Sequence, residues 1–98
     1  MPNLHWNSYT TTAFRGKQEA FGKAKQIMLE MKLQNVRINE WDVNGGTSDT
    51  FMAVTFIQLD SKRFVAMAMS SGTAANSSVN DFIERIKNYQ DILPLLYR

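Results

Sequence analysis

Seven polar, charged or aromatic side chains fall on one face of three predicted strands and could together bind or transform a small molecule. Histidine exchanges a proton near neutral pH, arginine stabilises negative charge, and tryptophan stacks on flat rings. We predict that His5, the only histidine of the chain, is the catalytic base of such a site. The predicted ligand-binding residues on the same face are Asn7, Tyr9, Arg37, Asn39, Trp41 and Thr55.

Several of these residues also have a common structural interpretation. His5 is typical of a polar residue near the N-terminus that faces solvent, and Arg37 of a strand residue that pairs with a carboxylate or lies at the sheet edge. Trp41 is typical of a side chain that fills an interface between two subunits. For these three residues the structural interpretation is the favoured one. A single histidine without paired carboxylates does not indicate a metal site, so we expect neither a metal nor a cofactor.

The strands that would carry this face are recognised by side chains that alternate with period two. They are Leu4–Thr10, Val36–Val43 and Phe51–Gln58. In the third strand the face opposite to Thr55 is apolar, so it should enter the core. By the same alternation Trp6 lies opposite to His5, and we expect it to be buried.

Two helices are predicted from apolar residues that recur at the spacing of one helical face. The first spans about Lys17–Gln34, and Asn35 is a suitable C-cap because asparagine tolerates the left-handed conformation. The last begins near Ser78 and is limited by Pro94. We expect Leu93–Tyr97 to form a final strand.

Two further segments connect these elements. The glycine-rich stretch Asn44–Asp49 predicts a turn between two antiparallel strands. The segment Leu59–Ser71 has two interpretations, a strand over Phe64–Ser70 or a helix. The run of alanine and methionine at 66–69 favours the helix, which is the interpretation we adopt.

Composition and charge bound the class of protein. The 98 residues predict a single domain over 1–98, and a hydrophobic content of 44% is ordinary for a folded soluble chain. A net charge of +2 gives no basic stripe, so we expect no nucleic-acid partner. The chain has no cysteine, and no apolar run approaches the roughly 20 residues that span a bilayer. We therefore expect a cytoplasmic protein without a membrane partner.

The predicted order of elements, β-α-β-β-α-α-β, indicates an α+β fold with an antiparallel sheet, the ferredoxin-like α/β sandwich. Three motifs add to this order: Gly-Lys-Gln-Glu at 16–19, Gly-Gly at 45–46, and Phe-Ile-Gln-Leu-Asp-Ser at 56–61. In these features the chain resembles the dimeric α+β barrel proteins related to antibiotic-biosynthesis monooxygenases. The resemblance implies a homodimer in which two sheets pack face to face and enclose a ligand.

The function implied by the resemblance is binding, or oxidation without a cofactor, of a small aromatic molecule. In that reaction His5 would remove a proton, Asn7 and Arg37 would stabilise the anion, and Trp41 would form a wall of the pocket. Whether the chain is an enzyme stays open at this point.

Two alternatives use the same elements differently. The first is a protein-interaction or regulatory module that docks a partner on the mixed face. The second follows if Phe64–Ser70 is a strand, because helix, three strands and helix is the order of a double-stranded-RNA-binding domain. The last helix begins Ser-Ser-Val-Asn-Asp, without the lysine that such a domain uses for phosphate, and this disfavours RNA binding.

Overall fold

The structure, a computed structural model, describes residues 3–96. Its elements are β1 (Leu4–Thr11), α1 (Lys17–Glu30), β2 (Gln34–Ile38), β3 (Val43–Gly46), β4 (Thr50–Gln58), β5 (Phe64–Gly72) and α2 (Ala75–Leu96). The strands form one sheet in the order β1-β5-β4-β3-β2, and every neighbouring pair is antiparallel. The predicted α+β class with an antiparallel sheet is confirmed. The order of elements is β-α-β-β-β-β-α, which differs from the predicted one.

Both helices pack on the same face of the sheet. The core lies between them and the sheet, and it joins Met28 of α1, Val54 of β4, Ala66 of β5 and Phe82 of α2 in one cluster. The two helices also touch each other, and Arg85 of α2 approaches the Glu30 carboxylate of α1 at 3.7 Å. Within residues 3–96 no element covers the opposite face of the sheet.

Strand β5 replaces the helix that we predicted for Leu59–Ser71, so that prediction is wrong. Residues 64–72 pair with β1 on one side and with β4 on the other, in unbroken register. Two complete ladders outweigh the helix propensity of alanine and methionine, because strand preference depends strongly on context. The buried residues Ala66 and Ala68 are small, which lets α2 pack closely on this strand.

The hairpin β2–β3 turns earlier than predicted. The Asn39 N–H donates to the Asp42 carbonyl at 2.8 Å, so the chain reverses at 39–42. Gly45 and Gly46 therefore lie inside β3, and of the turn predicted at 44–49 only residues 47–49 form a turn, which connects β3 to β4. A Cβ on Gly45 would approach Cγ2 of Val36 at 2.9 Å, so glycine is needed where β2 bulges towards it.

The ends of the helices also differ from the sequence prediction. Helix α1 stops at Glu30, and Asn35 lies in β2, where its φ of 55° is left-handed but does not cap a helix. Helix α2 begins at Ala75 and runs through Pro94 to Leu96. The expected strand at 93–97 is therefore wrong for 93–96, and Tyr97 lies outside the described residues.

The apolar stripes predicted for the helices are confirmed. The buried members of α1 and α2 are Ala20, Phe21, Ala24, Ile27, Met28, Val79, Phe82, Ile83 and Ile86. The remaining predicted member, Met31, is half-buried and follows the end of α1. No helix within residues 3–96 is long and apolar enough to cross a membrane.

Candidate functional site

We call the sheet face that points away from α1 and α2 the open face. Residues that pair across neighbouring strands lie on the same face, and successive residues alternate. From the register, the open face consists of Leu4, Trp6, Ser8 and Thr10 of β1, Val65, Met67, Met69 and Ser71 of β5, Phe51, Ala53, Thr55 and Ile57 of β4, Asn44 and Gly46 of β3, and Gln34 and Arg37 of β2.

The open face is apolar and almost free of charge. Five large side chains on it are about half exposed or more: Leu4 (69%), Trp6 (67%), Phe51 (52%), Met69 (50%) and Ile57 (48%). Arg37 is the one charged residue that the strands contribute to this face. Contiguous exposed apolar surface of this kind is typical of sites where another molecule docks.

A groove of about 750 Å³ indents the open face at the corner formed by β2 and β3. Its lining includes Arg37, Asn44, Phe51 and Ser71, and Gly46 contributes only backbone. The Arg37 guanidinium has no hydrogen bond or ion pair with any other residue of 3–96. The corner thus combines a depression with a cation that is free to bind, and the lining also includes the Asp49 carboxylate, which accepts from the Thr47 hydroxyl at 3.0 Å.

The three predicted site residues of β1 lie on the opposite face, against the helices. Tyr9 packs on the core, and the Lys87 ammonium lies 5.4 Å from its ring centre. Asn7 donates to the Asn80 side chain at 3.3 Å and accepts from the Ser8 N–H at 2.8 Å. His5 is half-buried on this same side. The prediction that all seven residues share one face is therefore wrong.

Asn39 and Trp41 lie in the turn between β2 and β3. The Asn39 amide donates to one oxygen of the Asp42 carboxylate at 3.1 Å, and the Asn44 amide donates to the other at 3.2 Å. Trp41 is 71% exposed, and the Lys17 ammonium lies 4.7 Å from its ring centre. Both residues therefore have structural contacts in the turn and beside α1.

Arg37 and Thr55 are the two predicted site residues that the open face does contain. The Thr55 hydroxyl donates to the Trp41 carbonyl at 2.6 Å, which ties β4 to the turn. Arg37 projects beside the groove. Arg37 lies at the sheet edge, because β2 is an outer strand, and this is one of its two expected structural interpretations. The other, an ion pair with a carboxylate, is not found within residues 3–96.

Trp6 of the open face was expected in the core, but it is 67% exposed, and that prediction is wrong. Alternation shows that Trp6 and Tyr9 lie on different faces but not which face the helices cover. Thr11 is fully buried at the end of β1 and Tyr9 packs on the core, so the odd-numbered residues face inward. Thr11 and Tyr9 were the residues in the sequence that indicated the buried face of β1, but the greater hydrophobicity of Leu4 and Trp6 favoured the other face.

The interior of the described chain holds no orphaned polar side chain. Every buried side-chain nitrogen or oxygen atom within residues 3–96 has a hydrogen-bond partner. An internal catalytic group that waits for a substrate would be expected to lack one. The open face and its groove are therefore the best candidates for function in the part of the chain that the structure describes.

Comparisons with protein-family models, with curated proteins and with solved structures gave no match. The resemblance to the dimeric α+β barrel proteins therefore stays a prediction.

Proposed function

We propose that this protein is a protein-interaction module whose docking surface is the open face of its sheet. The observation that carries the proposal is the row of exposed apolar side chains on that face, together with the single charge at Arg37. The centres of protein interfaces are depleted of charged residues and enriched in aromatic residues and methionine. Trp6, Phe51 and Met69 match that composition.

One form of this docking is the packing of two open faces, as in the dimeric α+β barrel that the sequence resembles. The layers fit such an arrangement, because both helices cover the other side of the sheet and leave this side accessible. A homodimer of this kind is part of the proposal, with a second copy or another protein as the partner.

Photo-crosslinking inside cells tests the docking surface without assuming a partner. A photoreactive amino acid replaces Met69 on the open face in one variant and Leu29 on α1 in another. The two native side chains are almost equally exposed, at 50% and 51%. We expect a discrete crosslinked species from position 69 and none from position 29. Equal crosslinking from both positions, or none from position 69, would contradict the proposal.

A second candidate function is the binding of a small aromatic molecule in the groove. The free guanidinium of Arg37 and the exposed ring of Phe51 support it, since both line the groove. The predicted base, His5, lies on the other face of the sheet, so we propose binding here and not oxidation. Titration with benzoate and with uncharged benzamide, followed by the amide NMR signal of Gly46, tests it. A shift with benzoate alone is expected, and no shift with either compound would contradict it.

A further inference from the structure

We infer that the partner of the open face is a second copy of this chain, and that Trp6 and Leu4 of each protomer insert into the groove of the other. The inference rests on the proposed function of the open face and names its partner. It follows from three features: the position of the protruding side chains, the position of the groove, and the lack of an ion-pair partner for Arg37 within residues 3–96.

The protruding side chains and the groove lie at opposite edges of the same rows of the sheet. One row of paired residues is Trp6, Met69, Ala53, Asn44 and Arg37. The next row is Leu4, Ser71, Phe51, Gly46 and Gln34. In each row the β1 end carries the most exposed apolar side chain, and the β2–β3 end lies at the groove.

A two-fold axis parallel to the strands brings these opposite ends together. β4 is the middle strand of the five, so an axis along it places β1 of one protomer over β2 and β3 of its partner. Rotation about such an axis leaves positions along the strands unchanged, so each row of one protomer faces the same row of its partner. Trp6 then faces the partner's Arg37, and Leu4 faces the partner's Gln34, and both of these positions line the groove. Two sheets packed face to face keep nearly this alignment, within about 30°.

The other axis in the plane between the sheets gives a poorer fit. An axis perpendicular to the strands stacks β1 on the partner's β1, so the two protruding tryptophan edges meet and both grooves stay empty. Close packing of interfaces requires protrusions to fill depressions. Shape therefore selects the axis parallel to the strands.

Charge selects the same arrangement. Arg37 has no ion-pair or hydrogen-bond partner within residues 3–96, and an indole ring is the best aromatic partner for a guanidinium. Insertion of Trp6 gives the one charge that the strands contribute to this face such a partner, whereas an unmatched charge would weaken an apolar interface.

The size of the face is suitable for a stable dimer. The three longest strands have 8 or 9 residues. At about 3.3 Å per residue and about 4.8 Å between strands, five strands give a flat footprint on the order of 600 Å². Standard interfaces bury about 800 Å² per partner, and the flat footprint omits the area that the protruding side chains add.

Two tryptophans of nearly equal exposure provide a matched test. Trp6 is 67% exposed on the open face, and Trp41 is 71% exposed in the β2–β3 turn. Light scattering of the full chain over a dilution series measures the dimer dissociation constant. We expect a dimer in the unmodified chain, a loss of at least about tenfold in affinity for Trp6→Ala, and less than a twofold change for Trp41→Ala. A monomer at every concentration, or equal effects of the two substitutions, would overturn the inference.

Cysteine crosslinking tests the axis itself, because the native chain has no cysteine. On the inferred axis two copies of Ala53 face each other about 10 Å apart, whereas two copies of Ser8 lie at opposite edges, roughly 22 Å apart when four strand spacings are combined with the distance between the sheets. A short bismaleimide should therefore link Ala53→Cys subunits and leave Ser8→Cys subunits unlinked. Crosslinking of Ser8→Cys alone would overturn the inferred axis.

The two proposals fail in different ways. If the crosslinked species from position 69 has the mass of another protein and the purified chain is monomeric, the docking face stands and the second copy does not. If position 69 gives no crosslinked species, the docking face itself fails.

Discussion

Gly46 and Gly22 both lie in regular elements, but their surroundings differ. A Cβ on Gly46 would lie 2.5 Å from the Thr50 carbonyl oxygen, which belongs to the backbone of the neighbouring strand and cannot move away cheaply. A Cβ on Gly22 in α1 would meet nothing within 4 Å. We expect Gly46→Ala to lower the free energy of unfolding by more than about 1 kcal/mol and Gly22→Ala to raise it by up to about 1 kcal/mol.

Urea denaturation of the two variants and the unmodified chain measures both effects. Each variant serves as the control for the other, since the chemical change is the same. If Gly46→Ala proved as stable as Gly22→Ala, the close approach of β3 and β4 at this corner would be contradicted.

At the scale of single residues, the sequence predicts which residues share a face of a strand better than it predicts which of the two faces is buried. In β4 the apolar face of Met52, Val54 and Phe56 was identified correctly, because all three are large and apolar and their neighbours are mixed. In β1 both faces carry an aromatic residue, so hydrophobicity gave the wrong answer for Trp6. Helix α2 fixes which face of β1 points inward, because Asn80 and Gln90, far along the chain, form side-chain hydrogen bonds with Asn7 and Thr11 of this strand.

At the scale of elements, the turn between β4 and β5 is held by one carboxylate. Asp60 accepts from the backbone N–H of Lys62 and of Arg63, and the Arg63 guanidinium donates to its second oxygen at 2.7 Å. The hydrogen bond from the Lys62 N–H and then that from the Arg63 side chain lower the pKa of Asp60 below its ordinary value of 3.8. The folded state therefore favours the ionised carboxylate.

This shift gives the turn a pH dependence of known sign. Because the folded pKa of Asp60 lies below the unfolded one, its contribution to stability is present above the unfolded pKa and is lost as the pH falls through the folded pKa. We expect Arg63→Gln to raise the pKa of Asp60. A carboxyl-carbon NMR titration measures it, with Arg85→Gln as the control because Arg85 pairs with Asp81. An unchanged Asp60 pKa in Arg63→Gln would contradict the role of the guanidinium.

Elements with strong periodicity were predictable and elements set by pairing were not. The apolar stripes of α1 and α2 follow the helical spacing, so sequence alone located them. Strand β5 begins with Phe64 and Val65, but residues 66–72 are alanine, methionine, serine and glycine, which do not favour a strand by themselves, and the flanking ladders of β1 and β4 define it. Gly45 and Gly46 indicated a turn by composition, but a bulge in β2 requires them inside a strand.

At the scale of the whole molecule, the placement of both helices on one side of the sheet decides where function can lie. The covered side satisfies its polar side chains internally, as the pairing of Asn7 with Asn80 illustrates. The open side keeps its apolar side chains in solvent, which is unfavourable unless another molecule covers them. The same asymmetry separates the predicted site residues of the strands, because His5, Asn7 and Tyr9 lie on the covered side and Arg37 and Thr55 lie on the open side.

A dimer formed through the open face predicts that thermal stability depends on protein concentration. Only the folded chain presents this face, so mass action raises the thermal midpoint as the concentration increases. Met69→Lys places a charge on β5, between the edge strand β1 and the middle strand β4 of the face. Because Met69 is half exposed in the single chain, its folding should tolerate the change. We expect calorimetry to give a rising midpoint for the unmodified chain and for Leu29→Lys on α1, and a constant midpoint for Met69→Lys. The same slope for all three proteins would place the association elsewhere on the surface.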